Sequence, residues 1–392
     1  MYERPDWVRR LAAMGPSVGG AEHLVPFDAD DLIATAIRST GLDDFGPPTW
    51  EEPFRRLITA LDTEAQLHAL GRLETKHDLL RHLRTRLLVV GAGEPDEVVA
   101  PVFVTGPARS GTSILHELLG QDPALRAPLA WEMAQPFAGE AGPDLAESEF
   151  DLWADIQPEF AAVHELSSRL PEECLWLLAP EFDSGFWATC TNVPSFMAWR
   201  AGTDAVPSYE WHRRMLGILQ RGAALRPWAL KSPVHVSRLP TLFAVYPDAR
   251  VILTHRDPVK TVPSSVSAVA GGRWLRSDAV DAVAIGASLQ FGLGYMLNAL
   301  PDVVATLPAG QVAHLHYLDL LGDPVSAITG AYESLGLPVA SDLADRILAY
   351  LAARPQDKHG VHQYSAEDYG LDRAKLRQDF LPYTDGFGVG LE

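Results

Sequence analysis

The stretch that most constrains this chain runs from Pro101 to Leu119, PVFVTGPARSGTSILHELL. Val102 to Thr105 form an apolar, β-rich run, and Gly106-Pro107-Ala108-Arg109-Ser110-Gly111 is a cluster of breakers. Ile114, Leu115, Leu118 and Leu119 then recur at helical spacing. The pattern predicts a strand, a tight loop and a helix. A loop of this kind offers backbone N–H groups at a helix N-terminus, where an anion can dock. Gly106, Gly111 and Ser113 match the frame of a nucleotide P-loop, but Thr112 stands where that motif has its lysine, and the cation sits inside the loop as Arg109. A triphosphate enzyme needs that lysine on the β- and γ-phosphates. The loop therefore reads as a cradle for a phosphate ligand without a γ-phosphate, against the plainer alternative of a strand-to-helix turn with incidental glycines.

A second constellation lies at 227–270. Trp228-Ala229-Leu230-Lys231 reads as a short strand ending in a cation, and Val234 to Val245 as helix-like. Arg250 to His255 reads as a strand, broken by Arg256-Asp257-Pro258, with a helix running from Val259 through Ser264, Ser265 and Ser267. Strand, helix, strand, helix is the repeating unit of a parallel sheet. Lys231 and Arg256 then fall at strand C-terminal ends, where open α/β sheets bind ligands.

The remaining chain frames these two segments. Residues 1–98 read as a helical N-terminal layer: Leu32, Ile33 and Ile37 before a stop at Gly41, then a capping-box spacing at Thr49 to Glu52, then a long leucine pattern from Thr63 to Leu87. Its His68, His77 and His82 are read as lying on a solvated face. Residues 99–392 read as the catalytic domain. After the first helix, Leu129 to Met133 suggests a second strand, with Glu132 near a ligand at the strand ends. Glu132 equally suits a helix start, where a carboxylate complements the dipole. An insertion over 140–226 is crowded with aromatics, among them Trp153, Trp176, Phe186 and Trp199. They make either an aromatic core or an apolar pocket for an acceptor. Gln311 to His316 is a further expected strand, and helix-like runs follow at 325–335 and 340–351.

At 392 residues the chain can bury a large core, and 47% hydrophobic with 21% charged residues is globular. A formal net charge of −19 argues against nucleic acid or an anionic membrane as partner, so an anionic ligand must be held by a local cation cluster. No apolar run of transmembrane length is read from the sequence, nor a secretory signal. Cys174 and Cys190, the two cysteines, are expected as free thiols in a cytoplasmic protein, and no Cys/His spacing suggests a metal.

Taken together, G-P-A-R-S-G-T-S at 106–113, K-S-P-x-H at 231–235, and Y-P-D-A-R-V-I-L-T-H-R-D-P at 246–258 with Ser264 eight residues after Arg256 resemble the sulfotransferases that use 3′-phosphoadenosine-5′-phosphosulfate. The closest resemblance is to the bacterial branch with an R-S-G-T loop, and it covers most of the chain. It implies an α/β fold, a P-loop-like open parallel sheet flanked by helices. It also implies that Arg109, Ser110, Gly111, Thr112 and Ser113 grip the 5′-phosphosulfate, and that Arg256 and Ser264 hold the 3′-phosphate. Lys231 and His235 fall near the family's catalytic Lys and His, although His235 is four residues after Lys231 rather than two. Other branches use a carboxylate after the first helix as base, which Glu132 matches. Lys358 matches the basic tail motif. The product would be adenosine 3′,5′-bisphosphate.

The chemistry agrees with the residues. In-line sulfonate transfer to a hydroxyl or amine spreads negative charge over the sulfonate and bridging oxygens, and Arg109 and Lys231 are the cations to meet it, with no metal required. The base is expected to be His235, by its ordinary pKa, or Glu132, if burial raises its own. The acceptor is expected to be an unidentified, apolar small molecule; oligomeric state is not legible. Two other functions compete: a P-loop small-molecule kinase, which would need a magnesium-binding acid such as Asp257 or Asp319, and a non-catalytic phosphate-binding scaffold.

Overall fold

In a computed structural model, which describes residues 3–163, 165–354 and 364–392, four strands form one parallel sheet. They are β1 (Val102–Thr105), β2 (Ala229–Lys231), β3 (Arg250–His255) and β4 (Val312–His316), in the order β2-β1-β3-β4. The register pairs Val102 with Ala229 on one side and Arg250 on the other, and Val251 with Val312. β1 thus lies at the point where the strand order reverses, and the carboxyl ends of its neighbours flank its loop. That is where an open sheet of this type leaves a crevice for ligands.

β1 is buried throughout because both sheet faces are covered, as parallel crossovers require. Phe103, Leu230, Val251 and Leu253 pack on one face with Leu239, Leu242, Val262 and Leu297. Val102, Val104, Ile252 and Leu315 pack on the other with Leu115, Leu119, Ile328 and Ile347. The expected strand at Leu129–Met133 is instead a short helix, Ala130–Ala134. Only isolated bridges remain there: Leu129 with Pro171 and Arg126 with Trp228.

The N-terminal helices Ala29–Thr40, Glu51–Thr63 and Ala69–Gly91 share a third core with residues of the aromatic segment, including Phe182, Phe186 and Trp187. Gly41 caps the first of them in the left-handed conformation, as its position predicts. The capping box at Thr49 does not form, because a 3-10 turn over Pro48–Trp50 precedes the second helix and no side chain caps it. His68 and His82 are buried, not solvated: His68 Nδ1 accepts the Gly71 N–H at 2.9 Å, and His82 packs edge-on against Phe186 and Trp187.

One helix, Ala282–Ala305, is by length and composition apolar enough to cross a membrane, which corrects the expectation of no such stretch. Its polar Ser288, Gln290 and Asn298 and its glycines hid it from a search for an unbroken apolar run. It packs against the helices Pro258–Trp274 and Leu381–Phe387, burying Ile285, Gly294, Leu297 and Leu300, while Phe291 and Tyr295 stay exposed.

Candidate active site

The loop after β1 is shaped by backbone that few residues tolerate. Gly106 has φ +149°, and a Cβ there would lie 2.2 Å from Thr254 Oγ1. Gly111, at φ +85°, sits immediately before the helix Thr112–Leu119. Between them Arg109 itself takes a left-handed φ of +70°, which an ordinary side chain adopts only where the surroundings enforce it. Ser110 supplies part of that enforcement. It is fully buried, its hydroxyl donates to Pro107 O at 2.6 Å, and it lies 2.6 Å from Thr254 Oγ1. Ser110 therefore braces the loop against β3. Thr112 is buried and Ser113 half-buried at the helix start, where the first-turn N–H groups have no intrahelical acceptor.

Two cationic centres flank this loop. On the β3 side, Arg109 Nε donates to Ser264 Oγ at 3.0 Å and Arg256 Nη1 donates to the Arg109 carbonyl at 2.9 Å. The three residues come from the loop, the end of β3 and the helix Pro258–Trp274, whose N-terminus Asp257 caps through Val259 N–H. The Arg256 guanidinium lies 3.8 Å over the Tyr317 ring. The structure thus brings Arg109, Arg256 and Ser264 together. It places Arg109 against the expected 3′-phosphate pair, with its other edge donating to Val163 O at 2.8 Å. Burial lowers the Arg109 pKa from its ordinary value.

On the β2 side, Lys231 is 1% exposed, and its Nζ donates to Ser113 Oγ at 3.2 Å and to Glu173 Oε1 at 2.6 Å. Ser232 Oγ donates to the second Glu173 oxygen at 3.2 Å. The chain around Glu173 is pinned to β2, because Cys174 N–H donates to Lys231 O at 2.8 Å. Thr105 Oγ1 donates to Ser232 O at 2.9 Å, tying the same turn to the end of β1. A carboxylate, an ammonium and two hydroxyls therefore converge beside the helix start. Trp176, one turn beyond Glu173, is buried, stacks on Trp153 with centroids 6.3 Å apart and packs on Phe186.

Neither residue expected as base is placed for that task. His235 is fully buried in a 3-10 turn, with Nδ1 2.7 Å from the Tyr209 hydroxyl and Phe103 and His212 against its ring. Burial, and then the neighbouring His212, push its pKa well below the ordinary value. Glu132 closes the start of the helix Ala130–Ala134. One oxygen accepts Leu129 N–H at 2.8 Å and the other accepts Arg126 Nη2 at 2.5 Å. The resemblance directed attention to a His after Lys231 and to a carboxylate after the first helix, and so passed over Glu173. Its local signal was the Pro171-Glu172-Glu173 acid pair ahead of an apolar helix. Lys358 lies outside the described residues. Among those residues, no group of three or more His, Cys, Asp or Glu side chains could hold a metal ion, and Cys174 and Cys190 are buried free thiols.

A family model described as the sulfotransferase family matches residues 101–342, from the first residue before β1 to beyond β4. Among curated proteins, the omega-hydroxy-beta-dihydromenaquinone-9 sulfotransferase Stf3 of Mycobacterium tuberculosis is 25% identical over 309 residues, 72% of this chain and 75% of its own. Among solved structures, sulfotransferase STF1 of Mycobacterium tuberculosis superposes with a TM-score of 0.79 at 28% identity, over 90% of this chain and 98% of its own. Sulfotransferase STF9 of Mycobacterium avium superposes with a TM-score of 0.83 at 25% identity, over 93% and 98%. The family match spans the whole sheet and the loop with its two cationic flanks, and the shared fold extends through nine-tenths of the residues. The chain belongs to the sulfotransferase family.

Proposed function

We propose that this enzyme moves a sulfonate group from 3′-phosphoadenosine-5′-phosphosulfate to the hydroxyl of a lipophilic small molecule, with Glu173 as the base. The observation that carries the reading is the pairing of Glu173 with Lys231 beside the loop, opposite the Arg109, Arg256 and Ser264 cluster. A nucleoside bisphosphate needs two anion sites, and these flank one loop whose conformation Gly106 and Gly111 make possible. The bound donor supplies an activated sulfonate on a phosphate leaving group.

The chain's own residues do the rest. Arg256 and Ser264 take the 3′-phosphate, and the loop N–H groups with Thr112 and Ser113 take the 5′ end. Glu173 accepts the acceptor's hydroxyl proton as that oxygen bonds to sulfur. Lys231 meets the charge that builds on the bridging oxygen as the sulfur–oxygen bond breaks, and its electron pair stays with the 5′-phosphate. Before substrate binds, Glu173 and Lys231 hold each other in place beside the loop through their 2.6 Å contact. The apolar character of the acceptor rests on the aromatic cluster of Trp153, Trp176 and Phe186, in which Trp176 lies one turn after Glu173 in the chain, and on the relative named for an omega-hydroxy-beta-dihydromenaquinone-9.

Turnover of labelled donor on a series of long-chain primary alcohols tests this reading. Glu173→Gln keeps the shape and a hydrogen-bond acceptor for Lys231 but cannot take a proton. We expect turnover to fall by about 10²–10⁴-fold, with affinity for adenosine 3′,5′-bisphosphate kept within about twofold. Glu132→Gln and His235→Ala, where folded, keep most of their turnover. Collapse in either of those with Glu173→Gln still active returns the base to the residue replaced in the collapsed variant. Calorimetry separates the kinase alternative, since tight ATP–Mg²⁺ binding without bisphosphate binding would replace sulfonate transfer altogether.

A further inference from the structure

Arg256 already holds an anion supplied by the chain itself. Glu392 presents both carboxylate oxygens to the guanidinium fork: Arg256 Nε donates to Oε1 at 2.8 Å and Nη2 donates to Oε2 at 3.0 Å. This is the two-point geometry in which an arginine takes a phosphate. The third edge, Nη1, is committed to the Arg109 carbonyl. Glu392 is also held through its backbone, where its N–H donates to Asp257 Oδ2 at 2.9 Å. The segment leading to it is anchored by Val389, buried in the main core, and passes close over Leu318, 3.2 Å from where a Cβ on Gly390 would sit. The Glu392 side chain is only 14% exposed, so the pair is shielded from the solvent that makes surface ion pairs weak.

We propose that Glu392 is a built-in occupant of the 3′-phosphate site, a carboxylate latch that must leave Arg256 before a nucleotide 3′-phosphate can take the same fork. The proposal rests on the assignment of Arg256 to the 3′-phosphate. One guanidinium edge cannot serve both anions, and two negative groups at one site repel. The observed affinity for a 3′-phosphorylated nucleotide is therefore the intrinsic affinity multiplied by the fraction of molecules with the latch open. In the closed state the latch keeps Arg256 aligned over Tyr317 and beside the loop, so the site is ordered before the ligand arrives. A nucleotide without a 3′-phosphate has no need of that edge and does not compete with Glu392.

Calorimetry on the full chain tests this with two nucleotides, adenosine 3′,5′-bisphosphate and adenosine 5′-monophosphate, on wild type, Glu392→Gln, Glu392→Ala and Arg256→Ala. The expected result is bisphosphate affinity raised by about 3–10-fold in both Glu392 variants, with monophosphate affinity unchanged. Bisphosphate affinity unchanged or weakened in the Glu392 variants, while Arg256→Ala weakens it, overturns the latch and leaves the 3′-phosphate assignment standing. Equal tightening of both nucleotides also overturns the latch, because it reports only the removal of one negative charge. If Arg256→Ala leaves bisphosphate affinity intact, the assignment itself falls, and the latch with it.

Discussion

Gly106 and Glu173 mark the two limits of what single residues disclose. Gly106 is legible because its constraint is local: a breaker between a β-rich run and a helical pattern, five residues from a second glycine. The structure adds the physical reason, since any side chain there would run into Thr254 on the adjacent strand. Gly106→Ala should therefore push the ends of β1 and β3 apart, for Thr254 Oγ1 also donates to Thr105 O at 3.2 Å. Overpacking plus backbone strain makes the expected loss of stability about 2–4 kcal/mol, with bisphosphate binding reduced at least about tenfold. Urea unfolding and calorimetry measure the two, and a variant with wild-type midpoint and affinity would show that the loop needs no glycine there. Glu173 is illegible for the opposite reason. Its partner Lys231 is 58 residues away, and nothing in the spacing of either announces the other. Arg256 and Ser264 are paired through the resemblance, whose second motif sets an Arg and a Ser eight residues apart. Their further partner Glu392, 136 residues from Arg256, is not so paired.

Elements obey the same distinction between local pattern and tertiary context. All four strands are legible in the sequence, because each is short and bounded by breakers, whereas the short helix Tyr317–Gly322 directly after β4 is not. The helix Ala69–Gly91 is legible in the sequence, but its faces are not. It is buried nearly all round, between the other N-terminal helices and the segment at 179–196, so most of its polar residues, though not His77, which is exposed as expected, are interior groups. Asp78 is the clearest case. It is 1% exposed, Arg276 Nη2 donates to it at 2.6 Å, and Arg81 pairs with its other oxygen. Arg276 reaches it from just beyond the helix Pro258–Trp274, so this buried pair fastens the helical layer to the element that carries Ser264. Removing the acid leaves the interior Arg276 without its carboxylate and Arg81 with Glu149 alone. Asp78→Ala should cost about 3–5 kcal/mol, the range for breaking one side of a buried ion pair. Chemical denaturation reads the loss, and a shift below about 1 kcal/mol would mean that water or another acid takes over the role.

At the scale of the whole molecule the buried histidines set the pH range. His68 and His116 are lowered to about 4, His82 and His212 to about 3, and His255 to about 2, in each case chiefly by burial. Like charges add to the effect at His116, through Lys231, and at His255, through His314 and His316. All five are neutral in the folded chain at pH 5, while the unfolded chain protonates them near its ordinary value of about 6.5. The unfolded state therefore binds more protons, and stability falls as pH drops below about 6.5. By pH 5 each histidine withdraws about 2 kcal/mol, whatever the depth of its folded value, so five withdraw on the order of 10 kcal/mol. That rivals the entire stability of an ordinary domain. Asp78, held at about 2 by Arg276 and Arg81 against the opposing effect of burial, adds to the loss at still lower pH. Glu74 and Glu181, raised by burial, act in the opposite direction but are fewer. The net charge of −19 does not foretell this, since it describes a surface that acid would neutralise, whereas the sensitivity lies in the interior. Urea midpoints at pH 7.5 and pH 5.0 decide the matter. We expect a large drop at the lower pH that shrinks in His82→Phe, a replacement that removes one titrating group from an aromatic pocket. A midpoint that holds steady or rises between the two pH values would mean that these histidines reach solvent in the folded protein.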